Sequence, residues 1–158
     1  MTLAVRTLSA LPRGRQRRLR GEESGTVAEE IVADELGPTV DHRPDEAEWY
    51  DLVRSTTSAK TEVKSAWRQV GESYPADGRF RLRRDQTRSL RAASAAGVAW
   101  YAFVLFDADG DELRIRRARP STVSQWVRER GGWNRAGHAE FEYQYKLPID
   151  VVFPGVAE

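Results

Sequence analysis

The longest apolar run in the chain, Val98 to Phe106 (VAWYAFVLF), shows no polar alternation. A run this short, rich in aromatics and valine, predicts a central strand covered on both faces. Elsewhere the pattern is periodic. Ala28, Ile31, Val32 and Leu36 recur at helical spacing, with Ser24 as N-cap, Gly37 as stop and Pro38 beyond it, which predicts a helix over 25–36. Strands are predicted at 49–54 and 59–66. In the second, Thr61, Val63 and Ser65 alternate with Glu62, Lys64 and Ala66, so Lys60, Glu62 and Lys64 share one side. Residues 79–83 alternate arginine with Phe80 and Leu82, the pattern of a half-buried strand. A helix follows over 85–96, between Asp85 as cap and Gly97 as stop. The acidic turn at 107–111 leads into a returning strand at 112–117; it lacks the bidentate glutamate of a calcium loop. Ser121 caps a helix over 122–130 that ends at Gly131 and Gly132, and 143–153 is extended, broken at Pro148. Residues 1–22 carry Pro12, Gly14 and dense arginine without sustained periodicity, and read as a basic N-terminal arm, in part helical, ahead of a single domain at 23–158. The order of elements predicts an α/β fold, a mixed sheet flanked by helices. Trp100, Tyr101, Phe103 and Phe106 belong to its core, whereas Trp126 and Trp133 suit either the core or a dimer face.

Composition narrows the function classes. The length of 158 residues suits one domain with a real core, and 40% hydrophobic content with a net charge of +1 excludes a uniformly disordered chain. No apolar run approaches the roughly 20 residues that span a bilayer, so a membrane protein is excluded. Without cysteine there is no disulfide framework, zinc–thiolate site or thiol nucleophile. The basic N-terminus lacks the apolar stretch of a secretory signal, and a cytoplasmic location is the simplest expectation.

The near-neutral net charge averages over opposed segments. Residues 1–21 hold six arginines and no acid, 22–51 hold eleven acids against Arg43, 79–91 hold six arginines against Asp85, and 114–119 hold four arginines. Taken singly, each basic segment reads equally well as a solvated face. Three of them beside one acidic segment favour a polyanion, nucleic acid, as partner. The candidate phosphate contacts are Arg15, Arg17, Arg18, Lys60, Arg79, Arg81, Arg83, Arg84 and Arg88. Gln86 is a candidate for DNA contact or water positioning, with a surface or capping role as the plainer reading.

Against this arginine usage the chain has only three lysines, Lys60, Lys64 and Lys146. Lys64 stands two residues after Glu62, with Asp51 on the preceding strand and Glu29 on the first helix. Phosphodiester hydrolysis needs a nucleophilic water and neutralisation of charge on the phosphate. Hard divalent ions serve both needs and prefer carboxylate oxygens. Asp51 and Glu62 share one Mg²⁺ (or Mn²⁺) if their strands are neighbours, and the Val63 carbonyl offers a further oxygen. Lys64 then stands beside the attacking water as a compact charge that can exchange a proton, which arginine cannot. His42 and His138 have no partner spacing for a metal site. An isolated Glu-x-Lys triplet is a weak signal; Asp51 upstream and Glu29 after Gly25-Thr26 give it context.

In these residues the sequence resembles the PD-(D/E)XK nuclease superfamily. Gly25 to Glu29 resembles the entry to the first helix of archaeal Holliday-junction resolvases, where a glycine–threonine turn precedes a metal-binding glutamate. The alternative assignment is Glu30. Tyr50-Asp51-Leu52-Val53 resembles that family's aspartate strand, with Tyr50 where a proline is usual, and Glu62-Val63-Lys64-Ser65 resembles its next strand. The resemblance implies a restriction-endonuclease-like mixed sheet, metal-dependent cleavage of DNA and, among resolvases, a homodimer. It covers roughly residues 24–106. The acidic stretch 42–48 departs from the resolvase pattern, and a restriction-like nuclease of a mobile element is equally consistent with the core motifs. Two readings from other classes stand beside it: a non-catalytic DNA-binding module on the same fold, and a protein-interaction domain.

Overall fold

In a computed structural model, which describes residues 2–42, 49–71, 76–135 and 143–155, the apolar run becomes β8 (Ala99–Asp107), the strand around which the rest assembles. Its side chains alternate between two hydrophobic cores. Tyr101, Phe103 and Leu105 enter one, and Ala102, Val104 and Phe106 the other. This double burial is why the sequence there shows no alternation of polarity.

β8 pairs in parallel with β4 (Lys60–Trp67) and antiparallel with β9 (Glu112–Ala118). A six-stranded mixed sheet extends from this pair. β1 (Thr2–Thr7) lies outside β9, while β3 (Leu52–Arg54) and then β2 (Val40–His42) lie outside β4, giving the order β1-β9-β8-β4-β3-β2. On one face α1 (Arg13–Arg20) and α2 (Ser24–Leu36) bring Leu19, Val27, Ile31 and Val32 onto Val63, Val104 and Ile115.

The opposite face is covered by α3 (Arg84–Ala96), α4 (Pro120–Glu129) and the short α5 (Ile149–Val152), together with a three-stranded sheet in which β11 (Tyr143–Pro148) lies between β10 (Asn134–Arg135) and β7 (Arg79–Arg83). Thr87 of α3 and the buried Tyr101 hydroxyl are 2.6 Å apart, tying this layer to β8. Two-residue strands β5 (Gln69–Val70) and β6 (Ala76–Asp77) form a hairpin between β4 and β7. Among the described residues, no helix is long and apolar enough to cross a membrane.

Several local expectations change. The segment read as an arm is built into the domain. β1 pairs along β9, Ala4 and Leu19 are buried, and the Asp111 carboxylate accepts hydrogen bonds from the Ser9 N–H and hydroxyl at 2.8 and 2.6 Å. A six-residue strand and an arginine-rich helix are too short and too charged to register as periodic patterns. Helices α2, α3 and α4 begin at Ser24, Arg84 and Pro120, and the residues before them make no side-chain cap hydrogen bond, so Ser24, Asp85 and Ser121 lie inside the first turns, where the Asp85 carboxylate still accepts the Gln86 N–H at 2.9 Å. Gly25 and Thr26 lie within the first turn of α2, one turn ahead of Glu29. The strand expected at 49–54 is confined to 52–54. The one expected at 143–153 stops at Pro148, whose missing N–H suits the start of α5. Trp126 and Trp133 pack against the core of the α3–α4 layer.

Gly78 joins β6 to β7 and passes so close to the end of β4 that an added Cβ would lie 1.8 Å from the Trp67 carbonyl oxygen. Backbone, unlike a flexible side chain, cannot swing aside. Gly78→Ala is therefore expected to lower stability by at least about 2 kcal/mol, read as a shift of the denaturation midpoint in urea.

Candidate active site at the open edge of the central strands

β3 pairs with β4 only through Leu52↔Thr61 and Val53↔Lys60, extended by a 2.9 Å hydrogen bond from the Asp51 N–H to the Thr61 carbonyl. Beyond that point no described strand is hydrogen-bonded in register to β4 on this side, and the strand edge is left unpaired at Val63. The Asp51 side chain closes part of it, its Oδ2 accepting the Val63 N–H at 2.8 Å. Strand periodicity puts the Val63 carbonyl on the same edge as that of Thr61, next to the Asp51 carboxylate.

Glu62 and Lys64 point together from the α3 face of β4, as their spacing predicts. Lys64 Nζ lies 3.3 Å from Glu62 Oε1 and donates a 2.8 Å hydrogen bond to Gln86 Oε1. Gln86 is only 7% exposed, so the surface or capping role gives way to a buried contact with Lys64. Its place in the first turn of α3, at the mouth of the same core, fixes the lysine head on two sides.

From the other layer, α2 directs Glu29 toward this edge. Glu29 and Glu62 both lie within interaction range of Asp51, which couples the three carboxylates. Burial, then the neighbouring Asp51, pushes the Glu29 carboxyl up to about 9. Burial likewise raises Glu62, to about 7; Lys64 opposes that rise and Asp51 adds to it. Glu30, the alternative assignment, instead pairs with Arg18 at 2.8 Å. His42, given no partner by sequence spacing, has Nε2 3.2 Å from Glu29 Oε2. The three-residue β2 that carries it offers no periodicity long enough to have revealed this. His138 lies outside the described residues.

Among the described residues, no group of three or more His, Asp or Glu side chains stands as a preformed metal cage. The reason is visible in the contacts. Asp51 Oδ2 is engaged by the Val63 N–H, and Glu62 Oε1 faces Lys64. The donor chemistry itself, carboxylate oxygens with a peptide carbonyl beside them, is that of a hard divalent ion.

Beside Lys64 opens a cleft of about 280 Å³ lined by Val63, Ser65, Arg81, Arg83 and Gln144. Neither Gln144 nor Lys146, which lines the adjoining groove with Arg79 and Arg81, was singled out from the sequence; both reach the site because β11 pairs with β7. Arg79 and Arg81 are exposed on β7, and Arg88 is exposed on α3. Arg83 donates to Asp85 at 2.6 Å, and the Arg84 guanidinium lies 3.5 Å from the Tyr143 ring centroid. Lys60 sits 5.8 and 5.7 Å from the Trp49 and Tyr50 rings. Arg15 and Arg18 are elsewhere, pairing with Asp34 and Glu30 of α2; Arg17, between them, is exposed. The structure thus gathers Glu29, Asp51, Glu62, Val63, Lys64 and Gln86 with Arg81 and Arg83, and leaves the α1 arginines on the far layer.

A family model described as a PD-(D/E)XK nuclease superfamily domain matches residues 15–154. The chain belongs to this superfamily. The match begins within α1 and runs past α5, so this PD-(D/E)XK domain takes in both helical layers and the β7–β11 sheet as well as the central strands. No curated protein and no solved structure matches the chain significantly.

Proposed function

We propose that this PD-(D/E)XK protein is a divalent-metal-dependent DNA endonuclease. The observation that carries the reading is Lys64, pinned between Glu62 and Gln86 where a coupled carboxylate group meets an arginine-lined cleft. Glu29, Asp51, Glu62 and the Val63 carbonyl would hold Mg²⁺ or Mn²⁺. An ion bound there neutralises charge building on the phosphate and eases deprotonation of water. Lys64 would hold a positive charge beside that water, and its ammonium could pass a proton to the leaving oxygen as it departs. Arg81 and Arg83 orient the phosphodiester in the cleft, while Arg79, Arg84, Arg88 and Lys60 contact flanking phosphates. Arg17 supplies only general attraction, and Arg15 and Arg18 are proposed to hold α1 to α2.

The decisive assay is a cleavage panel of linear, nicked, flapped and four-way DNA with and without Mg²⁺ or Mn²⁺. Metal-dependent cleavage is expected, and none from Asp51→Ala; persistent cleavage by that variant sinks the assignment. Cutting confined to the four-way substrate, by a protein that sediments as a homodimer, would identify a resolvase, as the Gly25-Thr26 and Glu62-Val63-Lys64-Ser65 segments suggest.

One observation favours a second reading. The absence of a preformed cage among the described residues suits a DNA-binding module without catalysis. That protein would bind every DNA in the panel, with affinity falling steeply in salt, and cleave none of them.

A further inference from the structure

The basic segment at 114–119 has no part in the site above, yet it builds a second concentration of positive charge. Arg117 of β9 and Arg119, just beyond its end, have their guanidinium carbons 4.3 and 4.0 Å from the centroid of one ring, that of Trp100 on β8. Arg54 of β3 opens onto the same pocket, of about 320 Å³, in which Trp100, Arg117 and Thr61 also take part. Arg54 is anchored by donating to the Thr39 hydroxyl and, at 3.1 Å, to the Leu36 carbonyl.

Several arginines elsewhere in the molecule stand against carboxylates, among them Arg6 on Glu35, Arg15 on Asp34, Arg68 on Asp107 and Arg114 on Glu112. Among the described residues, none of Arg54, Arg117 and Arg119 makes such an ion pair. Burial, then the nearby Arg54 and Arg119, holds the Arg117 pKa below its ordinary value. Arg54 and Arg117 line the half-buried pocket and Arg119 stands exposed at the Trp100 ring beside them, and gathering like charges this way is costly without a counter-charge. The Trp100 face offsets part of the cost and keeps two guanidinium forks oriented. An anion with several oxygens, matched by planar forks, completes the arrangement.

We propose that Arg54, Arg117 and Arg119, braced on Trp100, bind a backbone phosphate of the DNA strand away from the bond that is cut. The identity of this polyanion rests on the nuclease reading. Arg54 lies three residues along β3 from Asp51, roughly 10 Å at strand rise.

The test is fluorescence anisotropy of a labelled linear duplex in EDTA across a salt series. Arg119→Gln, at an exposed position, is expected to weaken binding severalfold. The Arg117→Gln/Arg119→Gln pair is expected to weaken it about tenfold or more and to lower the salt slope by about 1. Arg119→Lys, which keeps the charge without the fork, should recover part of the loss. Arg128→Gln, an exposed α4 change of equal charge, should bind like the parent. The inference is overturned if the double variant keeps the parent affinity and slope, or if Arg128→Gln loses as much as Arg119→Gln. Binding in EDTA is read without cleavage, so failure here leaves the nuclease assay untouched, and a protein that never cuts still reports on this site.

Discussion

Lys64→Ala is expected to slow DNA cleavage by about 10²–10⁴-fold while leaving duplex affinity within about threefold of the parent. The asymmetry follows from where the amine is. Its head lies 3.3 Å from Glu62 and 2.8 Å from Gln86, and the side chain is only 16% exposed. It therefore adds little to the long-range attraction that the exposed Arg79, Arg81 and Arg88 supply. Its charge matters where the reacting water and phosphate meet, a short-range effect that appears in the rate. Lys64→Arg is not expected to rescue it, because a guanidinium is longer, branched and unable to give up a proton near neutral pH. Single-turnover cleavage at saturating enzyme measures the rate, and anisotropy without metal measures the affinity. A loss of affinity matching the loss of rate would mean that Lys64 serves as a phosphate contact.

Glu62→Gln is expected to abolish cleavage and yet make the metal-free protein more stable at pH 8, by about 2–3 kcal/mol. The sign comes from the direction of the shift. The Glu62 carboxyl is raised from 4.5 to about 7 in the folded chain, chiefly by burial, so the fold binds that proton more tightly than the unfolded chain does. Stability from this group is fully present below pH 4.5 and is lost as pH rises through about 7. Glu29, raised to about 9, extends the decline upward. By pH 8 the native site carries crowded negative charge, and a neutral amide removes part of it. A divalent ion relieves the same repulsion in the parent, so Mg²⁺ should raise the parent's melting temperature at pH 8 and raise that of Glu62→Gln much less. Melting curves from pH 5 to 9, with and without Mg²⁺, test this. A parent whose metal-free stability is flat across that range would show that the carboxylates do not repel one another as described.

Much of the site was legible because its chemistry is local. Glu62, Val63 and Lys64 share one strand, and alternation alone puts the glutamate and lysine on one side. Glu29 was preferred on its place in a motif, and the structure adds a physical reason, since Arg18 occupies Glu30. The central strand at 98–106 was equally plain, because burial on both faces leaves an unbroken apolar signature. What could not be read depends on partners far apart in sequence. Gln86 reaches Lys64 across 22 residues, His42 meets Glu29 from a three-residue strand, and Gln144 enters the cleft only through pairing of β11 with β7. The pairing of Arg15 with Asp34 and of Arg18 with Glu30 was hidden for the same reason. Nothing within α1 signals that the acids of α2 lie alongside.

The pairing of β1 with β9 has a consequence for how the chain is made. Thr7 lies opposite Glu112 and Thr2 opposite Arg116, so one edge of the sheet joins residues to partners synthesised more than a hundred positions later. At about 5–20 residues per second, β1 waits on the order of 5–20 s for its partner. Throughout that interval the outer strand has nothing to pair with. A nascent chain halted before residue 112 would carry every proposed catalytic residue and still lack the strand that seals the flank of β8.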